Sequence, residues 1–411
     1  MNVHRLSFGL SRQLWVVEIG IFLNMLGYGA VFPFEVIYLH EERGFALGTA
    51  GLVAGLVTGV AVVMSPVSGA VIDRIGARTT AVASGLSLAA GYAGLAFAAS
   101  VPAAVAAAAL AGVGNAGLTT SQSALMTALA PRDLRQRASA VSRVAVNVGI
   151  GLGSAIGGLI AGLGLRGFMA LFLANAVTYV VYVAILVGSV REDSTPTALP
   201  HRGYRRLLRD RAFVHFAVTN VALILVGWGV LAWIVPPYAA GLGIAPGLIG
   251  LLLLTNATTV VVAQVPIVRL AEGRNRIGIL VLGAVLWVAA CLLALIAQSA
   301  TAPVGYACLA LAAVAFGLGE CLHATVFLPL VADLAPPELR GRYLATIGLS
   351  WWLGLALAPT LGAQLLAVSP TLALLAAAAL SGAAILSLLA LEARLPAALR
   401  LIPRPGATVL R

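Results

Sequence analysis

Ala130-Pro131-Arg132-Asp133-Leu134-Arg135-Gln136-Arg137 returns 205 residues later as Ala335-Pro336-Pro337-Glu338-Leu339-Arg340-Gly341-Arg342. A proline, an acid, a leucine and two arginines keep their spacing in both copies, in a chain where only 9% of residues are charged. Alanine and glycine matches come cheaply in so biased a sequence; this one does not. At the same offset Gly112-Val113-Gly114-Asn115 meets Gly317-Leu318-Gly319-Glu320, Gly153-Ser154 meets Ala358-Pro359, and Gly157 meets Gly362. An offset of 200 sets Gly27-Tyr28-Gly29 against Gly227-Trp228-Gly229, and Tyr38 against Tyr238. The chain reads as two similar halves in tandem.

On either side of the quoted segments lie long apolar tracts. Of the 411 residues, 61% are hydrophobic, whereas a water-soluble domain carries about 25% charged residues to cover its surface. Lipid is the solvent that fits. A bilayer core needs about 20 apolar residues per helix, and tracts of that length fall near 14–39, 46–72, 79–99, 102–129, 138–163, 167–190, 212–238, 246–270, 277–298, 303–334, 342–367 and 370–393. The first tract is too long for a signal h-region and contains Glu18 and Asn24, so it reads as a retained helix. The fold class is therefore an all-α membrane protein with 12 transmembrane helices in two pseudo-symmetric six-helix bundles. The division expected is 1–190 for the first bundle, 191–211 for a cytoplasmic linker, 212–393 for the second bundle and 394–411 for a cytoplasmic tail. Pro196 and Pro200 disfavour one continuous helix through the linker.

The net charge of +11 comes from arginines in short connections, which is the pattern of loops held in the cytoplasm and not of a nucleic-acid surface. The even-numbered connections carry Arg74 and Arg78, Arg132 to Arg137, Arg202 to Arg211, Arg269 to Arg276, and Arg340 and Arg342. The odd-numbered ones carry Arg43 and Arg166. Both termini are thereby expected in the cytoplasm, in a cell (plasma) membrane, most simply a bacterial inner membrane. No lysine occurs, and arginine does not give up its proton, which leaves Glu, Asp and His as proton carriers. Cys291, Cys308 and Cys321 lie inside spans and show no metal-ligand spacing, so neither a disulfide framework nor a metal site is expected. Nor is there a phosphate-binding G-x-x-x-x-G-K-[ST] loop or a nucleophile–base set, so the chain reads as no enzyme and carries no cofactor.

Between the second and third spans stands Gly69-Ala70-Val71-Ile72-Asp73-Arg74-Ile75-Gly76-Ala77-Arg78. Every fixed position of G-x-x-x-D-R-x-G-x-R is met, and with the twelve spans and the repeat the chain resembles the major facilitator superfamily over nearly its whole length. The resemblance implies a cytoplasmic latch formed by Gly69, Asp73, Arg74, Gly76 and Arg78. Asp73 would sit near the N-terminus of the eleventh helix, around Gly341 to Tyr343, where the helix dipole favours an anion. Two further segments resemble the drug:proton antiporter branch: Leu26-Gly27 with Pro33, and Gly149-Ile150-Gly151-Leu152-Gly153-Ser154-Ala155-Ile156-Gly157-Gly158. In the second, the antiporter-like positions are Gly149, Gly153, Ser154, Gly157 and Gly158, and Ser154 replaces a proline. Glycines there permit close backbone approach, and the missing proline reduces the kink. A third motif of the branch is missing, because Ala108 stands where an arginine precedes Gly112 by four residues.

The chemistry for coupling then falls to few groups. Glu320 lies near the middle of the tenth span, and His323 follows three residues on, on the same helix face. A charge at that depth is costly and marks a functional group by default, so the two are the expected proton-coupling pair. Glu18 and Glu35 bracket the first span and are expected near opposite interfaces, Glu35 as a solvated helix end or, close to Pro33, as an outer-gate group. Arg143 is expected to snorkel to the cytoplasmic surface. Helices 1, 4, 7 and 10 line the central cavity in the superfamily, which makes Asn24, Tyr28, Asn115, Trp228 and Glu320 the candidate substrate contacts. The expected activity is proton-coupled efflux of small amphipathic or cationic compounds by alternating access. Uptake or export of one defined metabolite, and a non-transporting sensor or assembly protein, stand as alternatives. The expected partners are a small-molecule substrate, protons and the lipid bilayer, with no nucleic acid, and the chain is expected to be a monomer.

Overall fold

The structure, a computed structural model, describes residues 11–129, 135–189, 207–336 and 339–402. The linker 191–211, most of the first Ala-Pro-x-acid segment and the end of the tail fall largely outside them. Among the described residues twelve helices are long and apolar enough to cross a membrane. They are α1 Arg12–Glu42, α2 Leu47–Ile75, α3 Ala77–Phe97, α4 Val101–Leu129, α5 Arg135–Ala161, α6 Leu165–Ser189, α7 Arg211–Gly241, α8 Pro246–Ala271, α9 Arg276–Ala297, α10 Ala302–Leu334, α11 Arg340–Val368 and α12 Pro370–Glu392. The expected all-α class and its twelve spans are borne out, with ends that differ by a few residues.

Side-chain caps start several helices where the sequence offers a short polar residue. Ser11 accepts from the Leu14 amide, Asp210 from Ala212 and Phe213, and Asn275 from Gly278, each satisfying donors that the first turn leaves open. Two helices are irregular. Pro33 falls in a 3-10 turn, Phe32–Phe34, inside α1. In α7 the stretch Leu225–Ile234 widens to a π-helix, with the Val235 amide reaching back five residues to the Val230 carbonyl. Pro236 and Pro237, which lack an N–H, follow at once and account for the shifted ladder.

The chain divides into two compact units, Met1–Leu199 with Ala239–Leu254, and Pro200–Tyr238 with Thr255–Arg411. In the first, α1 packs on α5 and α6, and α3 on α4 and α6; in the second, α7 packs on α11 and α12, and α9 on α10 and α12. Each pairing recurs six helices later, so the repeat seen in the residues is a repeat of packing. Ala239–Leu254, which a division by six spans counts with the second half, cluster with the first unit. There a side chain at Gly158 would run into the backbone of Pro246 and Gly247, and one at Gly250 into that of Ser154 and Ala155.

Glycine makes the tightest seams. A Cβ on Gly149 would stand 2.8 Å from Met25 Cβ and 3.0 Å from the Phe22 carbonyl, one on Gly153 3.0 Å from Ala30 N, and one on Gly157 2.7 Å from Ala30 Cα. These positions are one helical turn apart, so α5 lies backbone to backbone on α1. Ser154 adds a bond between the two helices, donating to the Gly29 carbonyl at 3.0 Å. Unit 2 repeats the seam 205 residues later: a Cβ on Gly354 would stand 2.8 Å from the Val221 carbonyl, and one on Gly362 would meet Ile234. A second repeated device is a tyrosine. Tyr38 Oη donates to the Ala96 carbonyl at 2.7 Å and Tyr238 Oη to the Ala294 carbonyl at 2.8 Å, tying α1 to the end of α3 and α7 to the end of α9.

The residues after α12 are not a plain tail. Leu401 pairs antiparallel with Asn275, and Ile402 exchanges bonds with Gly273 and Arg274, both at 2.9 Å. The segment thus straps the α8–α9 turn.

Gly153→Val should force α1 and α5 apart. Overpacking of this kind costs about 1–3 kcal/mol, to be read as a lowered melting temperature in detergent. Gly69→Ala, placed in open space, should leave the melting temperature unchanged.

Candidate functional site

Glu320 stands near the middle of α10 and is 7% exposed. Asn256 of α8 donates through Nδ2 to Glu320 Oε1 at 3.1 Å and to the Ala313 carbonyl at 3.3 Å. Gly317 opens the way for that amide, since a Cβ there would stand 3.2 Å from Asn256 Nδ2. Further along α8, Gln264 reaches the Cys321 carbonyl and Thr325 Oγ1, both at 3.4 Å. The acid itself is therefore held by one neutral amide.

His323 is 1% exposed and belongs to a different network. Its Nε2 lies 2.8 Å from Asn220 Oδ1 on α7; Asn220 Nδ2 donates to Ser350 Oγ on α11 at 2.9 Å, and Ser350 donates to the Ile347 carbonyl. With Asn220 Nδ2 committed to Ser350, its oxygen faces the histidine, which donates through Nε2. His323 Nδ1 has no hydrogen-bond partner. Aromatic rings surround it: Phe327 stacks at 4.8 Å, Trp228 meets it edge-on at 5.1 Å, and Trp287 and Trp351 lie at 6.1 and 6.3 Å. Trp228 is half-buried and sits 4.6 Å from Trp351 and 5.7 Å from Trp287. Trp287 is fixed in turn by its indole N–H, which donates to the Phe316 carbonyl at 3.2 Å.

The expected Glu320–His323 pair is thus divided. Three residues separate the two by about 60° around the helix, enough to send Glu320 to α8 and His323 to α7. The sequence reading overlooked Asn256, Asn220, Ser350, Trp287 and Trp351. The two asparagines were findable, because an amide inside an apolar run raises the same question of a partner as an acid does.

In unit 1, Asn24 is fully buried, while Tyr28 and Asn115 are half-buried. Glu35 departs from the expectation of a solvated helix end, and Glu18 is buried as well. Glu18 is 2% exposed and accepts from Ser142 Oγ at 2.6 Å; Glu35 is 1% exposed. Glu35 follows directly on the 3-10 turn that contains Pro33. Arg143 is exposed.

The residues of the loop motif divide by role within the unit. Gly76 takes φ 84° and ψ 159°, a conformation almost reserved to glycine, and it ends α2 and starts α3 in a single residue. Arg78 donates from Nε to the Leu186 carbonyl at 3.1 Å and from Nη2 to the Val187 carbonyl at 2.7 Å, closing the open end of α6. Asp73 and Arg74 are exposed, and Gly69 faces open space. Ala108, at the position of the missing arginine, is fully buried.

Known proteins agree with this architecture. The family model described as Major Facilitator Superfamily matches residues 17–226 and 217–410. The uncharacterized MFS-type transporter YttB of Bacillus subtilis (strain 168) is 28% identical over 264 residues, 62% of this chain and 64% of its own length. The chain therefore spans a little under two thirds of that relative. YqjV of the same organism, also an uncharacterized MFS-type transporter, is 25% identical over 85% of each chain. Among solved structures, a point-mutant form of the nucleoside transporter NupG superposes with a TM-score of 0.75 at 13% identity, covering 92% of this chain and 100% of its own. A peptide transporter POT in complex with sulfate gives 0.74 at 15% identity, covering 93% and 94%. A bacterial homolog of the human lysosomal transporter Spinster, inward-facing and occupied, gives 0.74 at 14%, covering 95% and 98%. At these identities the structures speak for the fold.

Asn256→Ala should leave the buried Glu320 without its donor, at a cost of about 1–3 kcal/mol, read as a lowered melting temperature. In a double-mutant cycle with Glu320→Ala, which removes the acceptor, the two changes should couple by roughly 0.5–3 kcal/mol; simple additivity would show that the contact does not form.

Proposed function

The chain belongs to the major facilitator superfamily, and on that footing we propose that it is a proton-coupled exporter of small amphipathic or cationic compounds working by alternating access. Membership makes it a multi-pass membrane transporter of a small molecule and not an enzyme. The observation that carries the finer reading is Glu320, a buried acid with a neutral amide as its partner and no ion pair among the described residues.

Removing a carboxylate from water without a paired cation is costly. A group so placed holds its proton while the site is closed to water and exchanges it when water reaches α10. An organic cation entering the same surroundings can take the proton's place against the carboxylate. One acid then serves either ligand but not both at once, which is the logic of exchange. Around His323, on the neighbouring face of α10, Trp228, Trp351 and Phe327 supply flat apolar faces that favour aromatic cations over hydrated inorganic ones. Trp228 and Glu320 in unit 2, and Asn24, Tyr28 and Asn115 in unit 1, are the residues proposed to touch substrate.

The remaining parts of the reading follow the family motif. Asp73, free of the architectural duty that Gly76 and Arg78 discharge inside unit 1, is the proposed latch acid for the eleventh helix. The arginine-bearing connections and both termini are proposed to face the cytoplasm.

The test is transport into proteoliposomes under an imposed pH gradient, with a panel of cationic and neutral dyes. The native protein should move cationic, amphipathic dyes against their gradient, and Glu320→Gln should abolish the dependence on the pH gradient while leaving the protein folded. Gradient-driven transport that is unchanged in Glu320→Gln would remove the acid from the mechanism. Equal movement of neutral and cationic dyes would remove the charge preference.

A further inference from the structure

Where α7 begins and α12 ends, unit 2 carries a polar chain that the transport reading does not use. His215, in the second turn of α7, lies through Nε2 2.8 Å from Ser387 Oγ on α12, and Ser387 Oγ lies 2.7 Å from Thr219 Oγ1. Thr219 donates to the His215 carbonyl at 2.9 Å. Its proton being spent, Thr219 accepts from Ser387, and Ser387 accepts from His215 Nε2. His215 Nδ1 is then an acceptor, and Arg394 Nη1 donates to it at 3.2 Å. Every proton in the chain has one place to go, and the outer end is an arginine two residues past the end of α12.

The chain holds Arg394 beside a cleft of about 460 Å³ lined by Leu208, Arg211, Val214, His215, Val218 and Arg394. Four of these fall at i, i+3, i+4 and i+7 from Arg211, one face of α7. Leu208 and Val218 are 68% and 67% exposed. Val218 lies seven residues, about 10 Å, further along the helix than Arg211, so the apolar stripe runs from the membrane boundary toward the hydrocarbon.

Both arginines are exposed, and among the described residues neither makes an ion pair. The nearest acids in sequence are engaged elsewhere. Asp210 accepts from the Ala212 and Phe213 amides and from the Tyr343 hydroxyl, and Glu392 accepts from Asn275 Nδ2. Two guanidinium groups therefore stand with free donors at the head of an apolar stripe. Such a place fits an occupant in which an anion and a hydrocarbon chain are joined. Guanidinium meets phosphate oxygens through parallel N–H bonds, and basic pockets between spans at the membrane boundary take anionic headgroups. A zwitterionic headgroup would bring a cation toward the same two arginines.

We propose that the α7–α12 cleft binds an anionic phospholipid, its phosphate between Arg211 and Arg394 and one acyl chain along Val214 and Val218. His215, Ser387 and Thr219 are positioning residues for Arg394. The site needs only these two helices of unit 2, whichever way the chain faces and whatever Glu320 does.

The test is native mass spectrometry of the full chain, delipidated in detergent and titrated with phosphatidylglycerol or phosphatidylcholine. The native protein should retain phosphatidylglycerol in preference. Arg211→Gln/Arg394→Gln should weaken its binding by on the order of 30-fold, as two arginines at a membrane surface contribute. Arg209→Gln, which removes an exposed arginine outside the cleft lining, should leave it unchanged. His215→Phe should weaken it with both arginines in place, and His215→Gln, which restores an acceptor, should recover it. If the double variant does not fold, Arg394→Lys must still weaken binding, because an ammonium cannot make the parallel bonds. Equal retention of the two lipids, an unchanged affinity in the arginine variants, or an equal loss in Arg209→Gln would each overturn the proposal. So would displacement of the lipid by an equal concentration of inorganic phosphate, which would assign the cleft to a soluble anion. None of these measurements reads transport, so the Glu320 reading stands or falls separately.

Discussion

Where water is withdrawn, a helix closes its own backbone bonds, and helices then hold one another chiefly by close packing. In this chain that packing is concentrated where Gly149, Gly153 and Gly157 lay α5 on α1, and where Gly354 and Gly362 lay α11 on α7. The remaining architecture leans on these two seams. They hold the middle of α1 and of α7, two helices that also carry irregular backbone, a 3-10 turn at Pro33 and a π-helix ahead of Pro236. Irregular turns re-aim side chains. The π stretch is where Trp228 stands, and the 3-10 turn comes just ahead of the buried Glu35.

The two halves use one frame for different chemistry. Tyr38 and Tyr238 make the same tie, and the seam glycines recur at one offset. Yet the acids do not repeat. Glu320 has Asn115 as its counterpart, and Glu35, at the offset of 200, has Val235. Each of these two acids is therefore buried on a different helix of its half, α10 in one and α1 in the other. Since a buried charge is costly wherever it is placed, two such sites without a symmetric need are a sign of function more than of stability.

The loop motif shows the same economy at smaller scale. Gly76 is required by its backbone angles, and Arg78 by the open carbonyls at the end of α6. Asp73 and Arg74 meet no such need and are exposed. Within unit 1 the motif thus holds two architectural residues, Gly76 and Arg78, and two exposed charged ones, Asp73 and Arg74.

The twelve spans, the repeat and the family are legible in the residues alone, because span length and charge are one-dimensional quantities set by the thickness and polarity of a bilayer. Glu320 and His323 stand out in the same way, since any ionisable group inside an apolar tract is conspicuous. Their partners do not. That Glu320 answers to Asn256 while His323 answers to Asn220 and Ser350 depends on how α10 is rotated between α8, α7 and α11. That Glu35 is buried and not solvated depends on the neighbours that the fold packs around it. Rotation and bending arise from glycine contacts between helices roughly 120 residues and more apart in the chain, and such contacts exist nowhere but in the folded molecule.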